Sequence, residues 1–185
     1  MRIFIGLPIS TNTRSIISNI CDTLKHIPVK WIKSENWHIT LRFLGETPVK
    51  KIPELELALT EIIQQINPFT LEFKTLNMFP LINPHCLVIY VALDESLAKL
   101  FYQINQTCDA LGFQPDLRPF LPHITLAKFN SPPKLPALNN LALPITETVN
   151  QVILYESKND IKEGSAYYTV SCYQLVKKAN SASDF

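Results

Sequence analysis

Residues 36–46, NWHITLRFLGE, and residues 122–129, PHITLAKF, carry the same tetrapeptide, H-I-T-L. The two copies take half of the four histidines in a chain of 185 residues. Both stretches alternate polar and apolar residues, which is the period of a strand buried on one face. On such a strand residues two apart share a face, so His38 and Thr40 point one way while Ile39 and Leu41 point the other. His123 and Thr125 stand in the same relation to Ile124 and Leu126. Each copy therefore presents an imidazole beside a hydroxyl, with two aliphatic anchors on the reverse side.

Outward from the first copy, RIFIGLPI (2–9) reads as a strand that Pro8 ends, and TNTRSIISNICDTLKHI (11–27) as a helix with Ile16, Ile20, Leu24 and Ile27 at helical spacing. After Gly45, PVKKIPELELALTEIIQQI (48–66) carries Leu55, Leu59, Ile62, Ile63 and Ile66 on one stripe, with Pro53 suited to a first turn. FTLEFKTLNMF (69–79) alternates again. The second half opens with the strand-like HCLVIYVAL (85–93) and continues with ESLAKLFYQINQTCDAL (95–111), a helix that Gly112 should stop. TVNQVILYES (148–157) and AYYTVSCYQLV (166–176) each read as one β-run, and KNDIKEGS (158–165) as the hairpin loop between them.

The order is thus strand, helix, motif strand in each half, which is the signature of an internal duplication. The stretch 131–144, SPPKLPALNNLALP, has too many prolines for one helix and is expected to be a loop beside the site. The tail 177–185 is expected to be flexible.

Composition narrows the function classes. At 46% hydrophobic residues the chain can build a sizeable core, and the expectation is one soluble domain over 1–185. With 17 Lys+Arg against 16 Asp+Glu, the net charge of +1 supplies no global field for gripping long nucleic acid, so an anionic ligand must be small or held by a local cluster. The opening MRIFIGLPIS lacks a signal-peptide pattern, and no segment is apolar for long enough to span a bilayer. Cys21, Cys86, Cys108 and Cys172 are scattered, which suggests reduced thiols in a cytoplasmic protein.

Two facing histidines suit acid-base chemistry, because an ordinary pKa of about 6.5 lets one be charged and the other neutral near neutral pH. Two threonine hydroxyls can donate to phosphate oxygens. A single His-x-Thr pair would be read as core or rim of a sheet; its repetition after a helix in each half favours phosphodiester cleavage without a metal or cofactor. Two histidines without a third ligand make a poor zinc set, and His26 and His85 are read as structural or surface residues.

The paired motifs, with the strings RIFIGLPI, WIKSENWHITLRFLGET, LGFQPDLRPFLPHITLAKF and VILYESKNDIKEGSAYYTV, resemble the two-histidine phosphoesterase superfamily, in particular the LigT-like RNA 2′,3′-cyclic phosphodiesterases of bacteria and archaea. The resemblance runs from residue 2 to about 176. It implies an α+β bilobal fold of pseudo-twofold design, with antiparallel sheets lining a central groove and helices on the outside. It implies a monomer acting on RNA 3′ ends or nucleotides that bear a 2′,3′-cyclic phosphate, with 2′-5′ ligation or 2′-5′ cleavage as the alternative activity. A non-catalytic module holding RNA ends or nucleotides is the alternative from another class.

Carried over from the resemblance, His38 is the proton donor, His123 the proton acceptor, and Thr40 and Thr125 hold the phosphate. The residues alone leave the donor and acceptor roles open, since a near-symmetric site lets them exchange. Arg42, two past Thr40, shares the motif face of an ideal strand and is a candidate phosphate contact or a rim ion pair. Lys128 stands where the family has a nucleotide-contacting arginine; lysine keeps the charge and lacks the planar fork. Phe4 is a candidate base-stacking ring or ordinary core. Leu121 occupies a place where relatives carry a polar or basic residue.

Overall fold

Hydrophobic alternation in the two H-I-T-L stretches sets the architecture, because it commits one face of the motif strands to a core. The computed structural model of the protein describes residues 1–134, 143–160 and 164–177. Its strands are β1 (Arg2–Pro8), β2 (Lys30–Trp31), β3 (His38–Glu46), β4 (Phe69–Phe79), β5 (Cys86–Val91), β6 (His123–Lys128), β7 (Thr146–Val149), β8 (Gln151–Asp160) and β9 (Gly164–Gln174). The helices are α1 (Thr11–Thr23), α2 (Ile52–Ile63) and α3 (Glu95–Ala110).

The strands pair antiparallel in the order β7-β4-β5-β6-β3-β1-β8-β9, with β2 added to β6. The two motif strands, β3 and β6, are therefore neighbours at the middle. They meet through a single partner pair, Ile39 with Ile124, so the sheet is a half of four strands (β3, β1, β8, β9) and a half of five (β7, β4, β5, β6, β2) joined at a narrow seam. In each half the strand before a helix pairs with the motif strand after it: β1 with β3 across α1, and β5 with β6 across α3.

One face of this sheet is covered. Ile3, Ile5 and Leu7 of β1, with Ile39, Leu41, Ile124 and Leu126, share a core with Leu55, Leu59 and Ile63 of α2 and Leu97, Leu100 and Ile104 of α3. Burying such side chains contributes about 1.5–3 kcal/mol each. The motif face, opposite, is left for chemistry.

Helix ends follow their caps. The Ser10 hydroxyl accepts from the Thr13 amide at the start of α1, the Asp94 carboxylate accepts from Leu97 at the start of α3, and Gly112, at φ +78°, takes the left-handed turn that follows α3. Pro53 lies in the first turn of α2 as expected. Of the stripe expected on α1, Leu24 and Ile27 are buried just past the end of the helix and Ile20 packs partly against the core, but Ile16 is 38% exposed, and within the helix the buried face is Thr13, Ile17 and Cys21. Two small polar side chains on that face hid it from a reading by hydrophobicity.

TVNQVILYES is likewise two strands. Asn150 divides it, β7 pairing with β4 and β8 with β1 and β9. The hairpin is tighter than expected, with pairing down to Asp160 and Gly164. Most of the expected proline-rich loop (135–142) and nearly all of the tail (178–185) lie outside the described residues. Among the described residues no helix is long and apolar enough to cross a membrane.

Candidate active site

The motif strands have the same local irregularity. β1 pairs Gly6 with Thr40 and then Ile5 with Arg42, which leaves Leu41 as an extra residue. β5 pairs Val88 with Thr125 and then Leu87 with Ala127, which leaves Leu126 as an extra residue. Each is a β-bulge, and it reverses the facing of the residues that directly follow it. The burial pattern over six residues, half-buried, buried, half-buried, buried, buried, exposed, is identical in the two copies.

The bulge corrects the expectation for Arg42. Instead of following His38 and Thr40, its side chain turns to the helix side, is 2% exposed, and donates to Asn105 Oδ1, Asp109 Oδ1 and the Gln114 carbonyl. It borders a cavity near the motifs, but its charge is consumed by Asp109 at 2.7 Å. The residue that takes its place on the motif face is Phe43, 53% exposed. In the second copy the equivalent position is Lys128, which the structure does bring to the site.

Of the two readings of Phe4, the structure supports the core one. At 2% exposure it is no platform for a base: its ring lies 4.7 Å from that of His38, stacks on Tyr155 at 4.9 Å and meets Tyr167 edge-on at 5.0 Å. It is the floor under the first histidine. Phe79 serves the second, stacked at 4.7 Å from the His123 ring.

Both histidines are oriented in one way. His38 Nδ1 is 2.7 Å from the carbonyl of Asn36, and His123 Nδ1 is 2.6 Å from that of Leu121. A carbonyl can only accept, so each Nδ1 carries the hydrogen and each neutral Nε2 is left as the acceptor. In His38 that nitrogen lies 3.0 Å from Thr40 Oγ1, which donates to it. Leu121 thus contributes through its backbone, and its side chain is exposed.

Burial pushes the His38 imidazole down to about 4, against the Asn36 carbonyl, which favours the charged ring; the second histidine adds a small push in the same direction. His123 is lowered too, again by burial and against the Leu121 carbonyl. Without an anion in the groove, both rings are neutral at pH 7. Burial also raises the phenols of Tyr155, to about 12, and Tyr167, so these rings stay uncharged beside His38.

His38, Thr40, His123 and Thr125 line one cavity of about 150 Å³ together with Phe43 and Lys128. A larger space of about 350 Å³ adjoins it, sharing five of its lining residues and continuing towards Asp116, Arg118 and Phe120. The Arg118 guanidinium is held by Asp116, whose carboxyl it keeps below the usual range. The four motif side chains are thus brought together with Lys128, while Arg42 and Phe4 serve as supports. His85, expected to be structural or surface, is exposed and lines the larger space. Phe43, Phe79, Tyr167 and Arg118 were not expected at all. Aligning the two copies places Phe43 opposite Lys128, five residues after each histidine, and that offset could have found it. Among the described residues no cluster of three or more His, Cys, Asp or Glu is placed to hold a metal ion.

Comparison with known proteins gives consistent results. Residues 29–161 match the family described as the 2′-5′ RNA ligase superfamily. An RNA 2′,3′-cyclic phosphodiesterase of Geobacillus stearothermophilus is 29% identical over 94% of this chain, which spans 57% of that relative's length. One of Bacillus subtilis is 34% identical over 68% of this chain and 69% of its own. The crystal structure of Escherichia coli LigT complexed with 3′-AMP shares the fold, at a TM-score of 0.75 and 24% identity, covering 95% of this chain and 98% of LigT.

Proposed function

The chain belongs to the 2′-5′ RNA ligase superfamily, and from that premise we propose that it hydrolyses 2′,3′-cyclic phosphates at RNA 3′ ends or on nucleotides to 2′-phosphomonoesters. The observation that carries this reading is the pair of imidazoles with matching tautomers, each beside a motif threonine, on one small cavity. The two relatives above bear the name of that activity.

In the proposed reaction Nε2 of His123 takes a proton from water as the oxygen attacks phosphorus. The bond from phosphorus to O3′ breaks, and Nε2 of His38 gives its proton to the leaving oxygen. His38 must first be protonated. The negative charge of the bound phosphate and the Asn36 carbonyl favour this, and burial opposes it. Once that nitrogen carries a proton it no longer accepts from Thr40, so the hydroxyl is released to donate to a phosphate oxygen. Thr125 does the same from the other strand, and Lys128 adds positive charge. Both proton transfers are assigned to side chains, so turnover in excess chelator is expected.

All of these residues come from one chain, which supports a single-domain monomer as the working unit. Four free cysteines fit a reducing, cytoplasmic setting. The family description favours a second reading: with the 5′-hydroxyl of another RNA in place of water, the same transfers form a 2′-5′ linkage. Phosphorus NMR of an oligoribonucleotide bearing a 2′,3′-cyclic phosphate separates the outcomes. A growing 2′-phosphomonoester signal supports hydrolysis, a phosphodiester signal on addition of a 5′-hydroxyl strand supports ligation, and an unchanged cyclic signal refutes both.

A further inference from the structure

Past His123 and Thr125 the space beside the motifs opens along β2 and β6 into a cavity of about 810 Å³. Its walls include Lys30, His85, Lys128, Phe129, Asn130 and Ser131, and no carboxylate among the described residues lines it. His85 and Lys128 also line the space that holds His123 and Thr125, so the two cavities share a wall.

The charges there are arranged against the stability of the free protein. Lys30 lies directly across from Lys128 in the pairing of β2 with β6. Opposite residues of an antiparallel pair share a face with Cβ atoms about 5 Å apart, and like charges so placed destabilise the pair. Neither lysine takes part in the ion pairs found among the described residues. Two exposed ammonium groups and an exposed imidazole therefore flank one groove with no carboxylate among the described residues to neutralise them. The net charge of +1 makes this local cluster all the more distinct.

We propose that Lys30, His85 and Lys128 bind the phosphodiester on the 5′ side of the reacting nucleotide, so that the protein selects polynucleotide ends over mononucleotides. The proposal rests on reading the motif site as a cyclic phosphodiesterase. Lys128 borders both spaces and marks the boundary between the two phosphates. Lys30 belongs to the outer one alone, at an exposed edge where its replacement does not disturb the core.

The test compares kcat/KM for a nucleoside 2′,3′-cyclic phosphate with that for a short oligoribonucleotide ending in the same cyclic nucleotide, in the wild type and in Lys30→Gln. In the wild type the oligonucleotide is expected to be favoured by about tenfold or more at low salt. In Lys30→Gln that ratio should fall about fivefold, and the salt slope for the oligonucleotide should lose about one unit. A wild-type ratio near one, or equal losses on both substrates, overturns the subsite. Should neither substrate turn over, the catalytic reading fails separately. Fluorescence anisotropy of a labelled oligoribonucleotide ending in a 3′-phosphate then decides: weaker, less salt-dependent binding in Lys30→Gln supports the subsite, and unchanged binding overturns it.

Discussion

His38 illustrates how one side chain ties stability to chemistry. Its ring is enclosed by Phe4, Tyr155 and Tyr167, and that enclosure holds its pKa at about 4. The unfolded chain takes up the proton at about 6.5. The folded state therefore keeps its full advantage above that pH and loses it as pH falls towards 4, levelling off below. The loss should be about 1–3 kcal/mol, since each tenfold change in proton affinity is worth about 1.4 kcal/mol and the ring edge still meets the groove. Urea melts of the wild type and His38→Gln at several pH values check this, with the variant showing the smaller fall between about 6.5 and 4. An equal fall in both would show that the imidazole does not carry the linkage. At this scale the sequence was largely legible: alternation alone put His38, Thr40, His123 and Thr125 on one side of their strands. The carbonyls of Asn36 and Leu121 that fix the tautomers were not, because backbone acceptors have no residue type to read.

The bulges at Leu41 and Leu126 govern the element scale. A bulge is a property of two paired strands, so the alternation of one strand cannot show it, and Arg42 was accordingly expected on the wrong face. It forms instead a tie from β3 to α3, its buried guanidinium bonded to Asn105 and to the partly exposed Asp109. Replacing Asp109 by Ala removes one acceptor of the buried guanidinium, and because that carboxylate is itself 41% exposed and Asn105 and the Gln114 carbonyl remain, it should cost about 1–3 kcal/mol of stability. Denaturant melts read that loss directly. At 25 °C, kcat/KM should stay within about threefold of the wild type, since the tie supports the strand without touching the substrate. A collapse of kcat/KM with unchanged stability would return Arg42 to the reacting groups. The face of α1 was read only at its C-terminal end, where Leu24 and Ile27 are buried: upstream, Thr13 and Cys21 pack as small residues, and hydrophobic spacing favoured Ile16 over Ile17.

For the whole molecule, the meeting of β3 and β6 at one residue pair is what creates the groove. Each half of the chain supplies one histidine, one threonine and one bulged strand, and the core behind Ile39 and Ile124 holds them in register. The duplicated tetrapeptide made this arrangement readable before any coordinates. The order of the outer strands was not readable, because β7 and β8 are adjacent in sequence and lie in opposite halves of the sheet, β7 at one edge and β8 between β1 and β9. Neutral histidines in the free protein place the decisive protonation after phosphate binding, so activity depends on the pair as a unit. That claim is tested most directly by the pH dependence of kcat, which reports the substrate-bound protein, at saturating 2′,3′-cyclic phosphate substrate in excess chelator, measured for the wild type, His38→Ala, His123→Ala and the double variant over about pH 5 to 9. The account predicts a bell-shaped wild-type profile and a loss of about a thousandfold or more in each variant, the double variant being little worse than either single one. A monotonic wild-type profile, activity abolished by the chelator, or a histidine variant within about tenfold of the wild type would contradict it.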